Sequence, residues 1–269
     1  MIEPGPAPGG KWGDLRTRIL SATVMVAVGA AEIWLGGTAF AALVVVLIGV
    51  MVWELAAMTA PARLRTPVTV GVAAALALLL ALVLQSDIAA LFLMVPTVFL
   101  ILTPRRHRRL AAAYALAIML AGYGLVDLRL AGGSTAILWL VAVVVVSDVL
   151  GYFAGRMLGG PKFWPAISPK KTWSGTVAGW IGAALVGLIF VDATGASWIL
   201  VPLSALVSLS GQLGDIAESW VKRRCGVKDA SDLIPGHGGV LDRFDALIGA
   251  VVFVLAVGLI APVTGLFGG

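Results

Sequence analysis

Charge is scarce in this chain: Asp, Glu, Lys and Arg fill 12% of 269 positions, where a soluble domain carries about a quarter. Hydrophobic residues make up 60% and mean hydropathy is +1.02, which together exclude an ordinary water-soluble domain. Cysteine is scarcer still. Cys225 stands alone, so no internal disulfide can form. With His107 and His237 it completes the Cys and His inventory, and the three show no ligand spacing, which argues against zinc. No Walker A loop and no nucleophile elbow occurs, which removes the usual P-loop and serine-hydrolase readings. No internal repeat is visible, which weakens the case for a transporter built from duplicated halves.

What fills the chain instead is long apolar runs. A helical span needs about 20 mostly apolar residues. Such runs lie at Ile19–Leu35, Ala39–Met58, Pro67–Leu84, Ile88–Thr103, Leu110–Val126, Ala136–Phe153, Thr176–Val191, Trp198–Leu213 and Ala246–Val263. They are continuous rather than alternating, which predicts helices and not barrel strands. The expected fold is all-α, a polytopic integral membrane helical bundle of about nine transmembrane helices. All of the 19 Lys and Arg except Arg129 fall before the odd-numbered runs. Positive charge stays in the cytosol, so the N-terminus is expected inside and the C-terminus outside. The expected location is the cell inner (plasma) membrane, multi-pass. Residues 1–18 read as a disordered or interfacial N-terminal segment. Residues 19–135 read as N-terminal transmembrane helices, and 136–269 as a C-terminal catalytic region with a cytosolic loop. A cleaved signal peptide fits less well, because the first run is long enough to span and eight more follow.

Polar residues concentrate in the C-terminal half. Glu54 sits near the cytosolic end of the second run and reads as facing other helices or a headgroup. The tract Arg105-Arg106-His107-Arg108-Arg109 reads equally as a topology determinant or a contact for anionic lipid. Asp148 interrupts an apolar run. It is either a structural partner of a nearby base or a ligand for substrate or metal. Ser168-Pro169-Lys170-Lys171-Thr172 puts two ammonium groups beside hydroxyls at a helix entry, which suits phosphate. Ser204, Ser208, Gln212, Asp215, Ser219 and Lys222 recur every three or four residues, one face of one helix. Glu218 lies off that face.

A dense loop follows, from Lys222-Arg223 through Lys228 to Pro235-Gly236-His237-Gly238-Gly239, ending in Asp242-Arg243-Phe244-Asp245. Gly238 and Gly239 permit close backbone approach to a ligand. Asp242 and Asp245 share a face at a helix start, where capping alone would account for one acid and not two. Asp215, Asp242 and Asp245 with the Ser219 hydroxyl form a hard-oxygen set, which prefers Mg²⁺ or Mn²⁺. Such a metal beside Lys and Arg is the equipment of phosphoryl or nucleotidyl transfer.

The stretch Ser219, Lys222-Arg223, Lys228-Asp229, Ser231, Pro235, His237-Gly238-Gly239, Asp242-Arg243, Asp245 resembles the signature of the phosphatidate cytidylyltransferases. The segments Asp148–Gly159 and Ile167–Trp173 also resemble that family, whereas the N-terminal half agrees only in hydrophobic layout. Two positions depart. Ser174 stands where many members have Glu, and Val149-Leu150 where many have small residues; the acid and the lysines are kept.

The resemblance implies transfer of the cytidylyl group of CTP to phosphatidate, giving CDP-diacylglycerol and pyrophosphate. It also implies a homodimer in the lipid bilayer, a divalent ion, and a potassium ion. No nucleic-acid partner is expected. Asp215 and Asp242 are expected as main metal ligands, with Ser219 and Asp245 supporting. Lys222, Arg223, Lys228 and Arg243 are expected to hold phosphates. Lys170 and Lys171 would meet phosphates of one substrate, with Ser168, Asp148, Gly238 and Gly239 near them. His237 would bind phosphate or orient its loop. Alternatives are a CTP-dependent lipid kinase, a cytidylyltransferase acting on another lipid phosphate, and, more remotely, an ion-coupled transporter.

Overall fold

In lipid, an apolar run can satisfy its backbone only by hydrogen-bonding to itself. The computed structural model describes residues 11–60, 67–84, 88–261 and 263–267. Its helices are α1 (Lys11–Leu35), α2 (Gly37–Thr59), α3 (Pro67–Leu84), α4 (Val95–Leu102), α5 (Arg108–Met157), α6 (Trp173–Thr194), α7 (Leu200–Cys225) and α8 (Leu241–Gly258). Among the described residues, α2, α3, α5, α6 and α7 are long and apolar enough to cross a membrane. This is an α-helical membrane protein.

Several elements differ from the run-by-run expectation. The fifth and sixth runs form one 50-residue element, α5, interrupted at Gly133, whose φ of 66° and ψ of −164° leave the helical region. The fourth run is a 3₁₀ stretch, Ala89–Met94, continued by the eight-residue α4. Helix α7 runs past Leu213 to Cys225, so Asp215, Ser219 and Lys222 are helical. Helix α1 begins at Lys11, inside the segment set apart as 1–18, and residues 1–10 lie outside the described residues. So do Arg63 and Arg65. Between α5 and α6 lies a small antiparallel hairpin of β1 (Lys162–Trp164) and β2 (Ser168–Thr172), which the hydrophobic pattern does not foretell.

Helix α5 packs against α6 and α8, α6 against α7, and α7 against α8; α2 and α3 pair with each other and with α5. Small residues allow the closest crossings, as is usual between membrane helices. A Cβ on Gly214 would stand 2.6 Å from the Asp245 carbonyl, and one on Gly249 2.8 Å from the Gly214 Cα. A Cβ on Gly151 would stand 3.2 Å from the Gly175 carbonyl. The first two contacts join α7 to α8, and the third joins α5 to α6. These crossings bring the polar ends of four helices together. Arg129, the one base assigned to the opposite side, donates from Nη2 to the Ile33 carbonyl at 3.4 Å.

Candidate active site

Helix α5 brings Asp148, β2 brings Lys170 and Lys171, α7 brings Asp215, and α8 brings Asp242 and Asp245. All six line one cavity of about 530 Å³. Gln212, Thr172, Tyr152 and Arg156 complete much of its wall. Thr172 also caps α6, its Oγ1 accepting from the Gly175 N–H at 3.3 Å. That cap holds the end of β2, and so the two lysines, against the start of α6. Ser174, one of the two departures, donates to the Gly159 carbonyl at 2.5 Å and ties the first turn of α6 to the segment just after α5.

Cation and carboxylate alternate around the cavity. Lys171 Nζ lies 2.6 Å from Asp215 Oδ2 and donates to the Gln212 carbonyl at 3.2 Å. Ser219 Oγ donates to Asp215 Oδ1 at 3.3 Å. Lys222 Nζ lies 2.6 Å from Asp242 Oδ1 and 2.5 Å from Glu218 Oε2. Asp242 Oδ2 accepts from the N–H groups of Ala230 at 2.8 Å and Gly239 at 2.7 Å. Asp242 stands ahead of the apolar run that begins at Ala246. Burial alone would raise its pKa, but the Lys222 hydrogen bond and the two backbone donors outweigh burial and hold it below the ordinary Asp value. Asp245 Oδ1 accepts from the Ala246 N–H at 2.7 Å.

The polar stripe of α7 divides into two jobs. Its membrane-side half is structural. Ser208 shares a 2.6 Å hydrogen bond with Ser147, Ser204 accepts from Trp139 Nε1 at 2.8 Å, and Gln212 Oε1 accepts from Trp180 Nε1 at 3.1 Å. The other half, Asp215, Ser219 and Lys222, serves the cavity and its acids.

The signature loop surrounds a second cavity of about 430 Å³, lined by Lys228, Asp229, Asp232, His237, Gly238 and Arg243 with three loop neighbours. Arg243 Nη2 donates to the His237 carbonyl at 2.7 Å. His237 Nδ1 lies 2.8 Å from Ser21 Oγ on α1. Gly238 has φ 85°, a conformation open to glycine, and a Cβ there would meet Asp242 Oδ2 at 2.9 Å. Of the residues expected to hold phosphates, Lys170 and Lys171 line the first cavity and Lys228, His237 and Arg243 the second, while Lys222 lines neither and is held by Glu218 and Asp242. Ser168 and Arg223 line neither cavity among the described residues; Arg223 donates to the Val227 carbonyl at 3.3 Å at the end of α7. Gly239 is buried against Glu54, and its N–H is the one donated to Asp242 Oδ2. The donor chemistry around the first cavity, four aspartates, suits a hard cation. Among the described residues, no three His, Cys, Asp or Glu side chains converge closely enough to hold a metal ion as they stand.

Two acids lay outside the expected site: Glu54, read as facing other helices or a headgroup, and Glu218, read as off the polar face of its helix. Glu54 on α2 is fully buried. Its carboxylate accepts from Ser231 Oγ at 2.5 Å and from the N–H groups of Val240 at 2.9 Å and Leu241 at 2.7 Å. It thus caps α8 from another helix and ties the middle of the signature loop to its α8 end. Glu218 is also fully buried, held by Lys222. The only sequence signal for either was an acid in or beside an apolar run.

Membrane-length helices that converge on one cavity of aspartates and lysines define an integral-membrane transferase. The model of the cytidylyltransferase family matches residues 16–261. The phosphatidate cytidylyltransferase of Brucella abortus biovar 1 (strain 9-941) is 36% identical over 258 residues, covering 92% of this chain and 94% of that protein. The enzyme of the same name from Staphylococcus haemolyticus (strain JCSC1435) is 31% identical over 252 residues, 87% of this chain and 95% of that protein. A third, from Staphylococcus aureus (strain COL), is 44% identical over 115 residues, 42% of this chain and 44% of that protein. The chain belongs to the cytidylyltransferase family.

Proposed function

We infer that this protein transfers the cytidylyl group of CTP to phosphatidate, forming CDP-diacylglycerol and pyrophosphate. The observation that carries the reading is the shared cavity of Asp148, Lys170, Lys171, Asp215, Asp242 and Asp245 in a chain of this family. Its volume of about 530 Å³ falls within the range of small-molecule sites, roughly 300–1,000 Å³.

A phosphate oxygen of phosphatidate attacks the α-phosphorus of CTP. The new P–O bond forms as the bond from that phosphorus to the β-phosphate bridging oxygen breaks, and pyrophosphate leaves. The nucleophile is already anionic, so the protein's contribution is alignment and charge neutralisation. Lys170 and Lys171 take the phosphates. Lys171 exchanges its bond to Asp215 for a phosphate oxygen, which frees the Asp215 carboxylate. Asp215, Asp242 and Asp245, with Ser219, would hold Mg²⁺ or Mn²⁺, which supplies charge neutralisation at the phosphates. Lys222 keeps Asp242 in place. Lys228, His237 and Arg243 in the second cavity contact the more distant part of the nucleotide. Phosphatidate approaches from the bilayer past the exposed Tyr152, Phe153 and Leu158.

The charge distribution supports nine crossings of the inner membrane, with the N-terminus and both cavities in the cytosol. A homodimer belongs to the same proposal and is read by mass measurement in detergent.

The test is turnover by the purified protein with phosphatidate, Mg²⁺ and CTP labelled at either the α- or the γ-phosphorus. Cytidylyl transfer carries the α-label into lipid, whereas kinase chemistry carries the γ-label. Loss of α-label transfer in Asp215→Asn and Asp242→Asn ties the reaction to this cavity. Lipid labelled only from the γ-position overturns the assignment.

A further inference from the structure

The catalytic reading leaves the arginine-rich tract between α4 and α5 unused. The tract forms a cavity of about 550 Å³ lined by Arg105, His107, Arg108 and Arg109, closed by Trp220 and Arg224 from α7. It shares no lining residue with either cavity described above, and no carboxylate lines it. Among the described residues, Arg108, Arg109 and Arg224 have no carboxylate within ion-pairing distance. Unpaired guanidinium groups facing one concavity repel one another unless an anion joins them.

The arrangement is held, not incidental. Arg105 Nη1 donates to the Ala56 carbonyl at 2.5 Å and its Nε to Thr103 Oγ1 at 2.8 Å, fixing the tract to the end of α2. The Arg106 N–H donates to the Thr59 carbonyl at 3.1 Å. His107 has φ 50°, the one left-handed non-glycine residue among those described, and it turns the chain into α5. Arg224 stacks over the Trp220 ring with 5.2 Å to its centroid.

We propose that this cavity binds the phosphate headgroup of an anionic phospholipid, at a site separate from the catalytic cavity. Planar guanidinium forks match phosphate oxygens in pairs. A free phosphate ion shares that chemistry, but the flanks favour lipid. Ile101 and Leu102 at the end of α4 are exposed, Leu102 by 77%, and Trp220 is exposed beside the arginines. An apolar edge next to a basic hollow, with a tryptophan between them, suits a molecule with both an acyl chain and a charged head.

Native mass spectrometry of the full chain in neutral detergent, titrated with short-chain phosphatidylglycerol or phosphatidylcholine, tests this. The expected result is retention of phosphatidylglycerol over phosphatidylcholine, weakened about tenfold or more in Arg108→Gln/Arg224→Gln. Arg108, Arg109 and Arg224 are exposed, so these variants should fold. Arg109→Gln alone supplies a second, milder variant with a smaller loss. Lys170→Gln/Lys171→Gln should leave this binding unchanged. Retention that falls only in the lysine variant, or that persists in all arginine variants, overturns the proposal. Displacement by millimolar inorganic phosphate would assign a free-anion site and overturn it too. The readout is binding, so it stands apart from whether the chain turns over CTP.

Discussion

Glu54 separates positioning from contact with substrate. Its carboxylate touches no cavity-lining residue's charged head, yet it accepts from the Val240 and Leu241 N–H groups at the start of α8 and from Ser231. Glu54→Gln keeps the shape but removes the charge and one acceptor. The expected cost is about 2 kcal/mol, read as a lower unfolding temperature, with kcat falling and the KM for CTP little changed. Lys171 belongs to the other kind. Lys171→Met should leave the helices intact and reduce product formation by about 10²–10³-fold, because it removes a charge that meets Asp215 and, in the proposed reaction, a substrate phosphate. Ser168→Ala is the contrast. Ser168 lines neither cavity, so initial rates should match the unsubstituted protein within about twofold.

At the level of elements, the active cavity depends on how closely α7 approaches α8. Gly249 and Gly214 are in backbone contact. Gly249→Leu should force the two helices apart and separate Asp215 from Asp245, abolishing turnover and lowering the unfolding temperature. A Cβ on Gly258, in the same helix, would meet nothing within 4 Å, so Gly258→Ala should be silent in both assays. The spacing of three and four along α7 placed Ser204 through Lys222 on one face, but it could not divide that face. Trp139, Ser147 and Trp180 claim the membrane-side half, and those partners come from helices far away in sequence. The β1–β2 hairpin was equally hidden. It is short, lies outside every apolar run, and presents Lys170 and Lys171 as neighbours on a strand where the pattern suggested only a basic loop.

For the molecule as a whole, the one-sided charge distribution makes a sidedness prediction. In a Cys225→Ser background, cysteines placed by Asp232→Cys and Trp198→Cys should be labelled by a membrane-impermeant maleimide from opposite faces. Asp232 and Trp198 are both exposed. Labelling of the first only in inside-out vesicles, and of the second only in right-side-out vesicles, is the expected outcome. Labelling of both from one face would contradict a crossing by α7, the one helix between them.

Sequence alone determined that this is a helical membrane protein, because apolar runs in lipid have few backbone solutions. It also carried the family, because the acids, bases and glycines of the signature lie close together in the chain. Tertiary structure decided what those residues do to one another. It set Lys171 against Asp215, locked Asp242 between Lys222 and two backbone donors, and sent His237 and Arg243 to a separate cavity. It alone connected Glu54 to a loop 177 residues away. Periodicity reports which face of a helix is polar. Which neighbour meets that face depends on long-range packing, and here glycine contacts between helices set it.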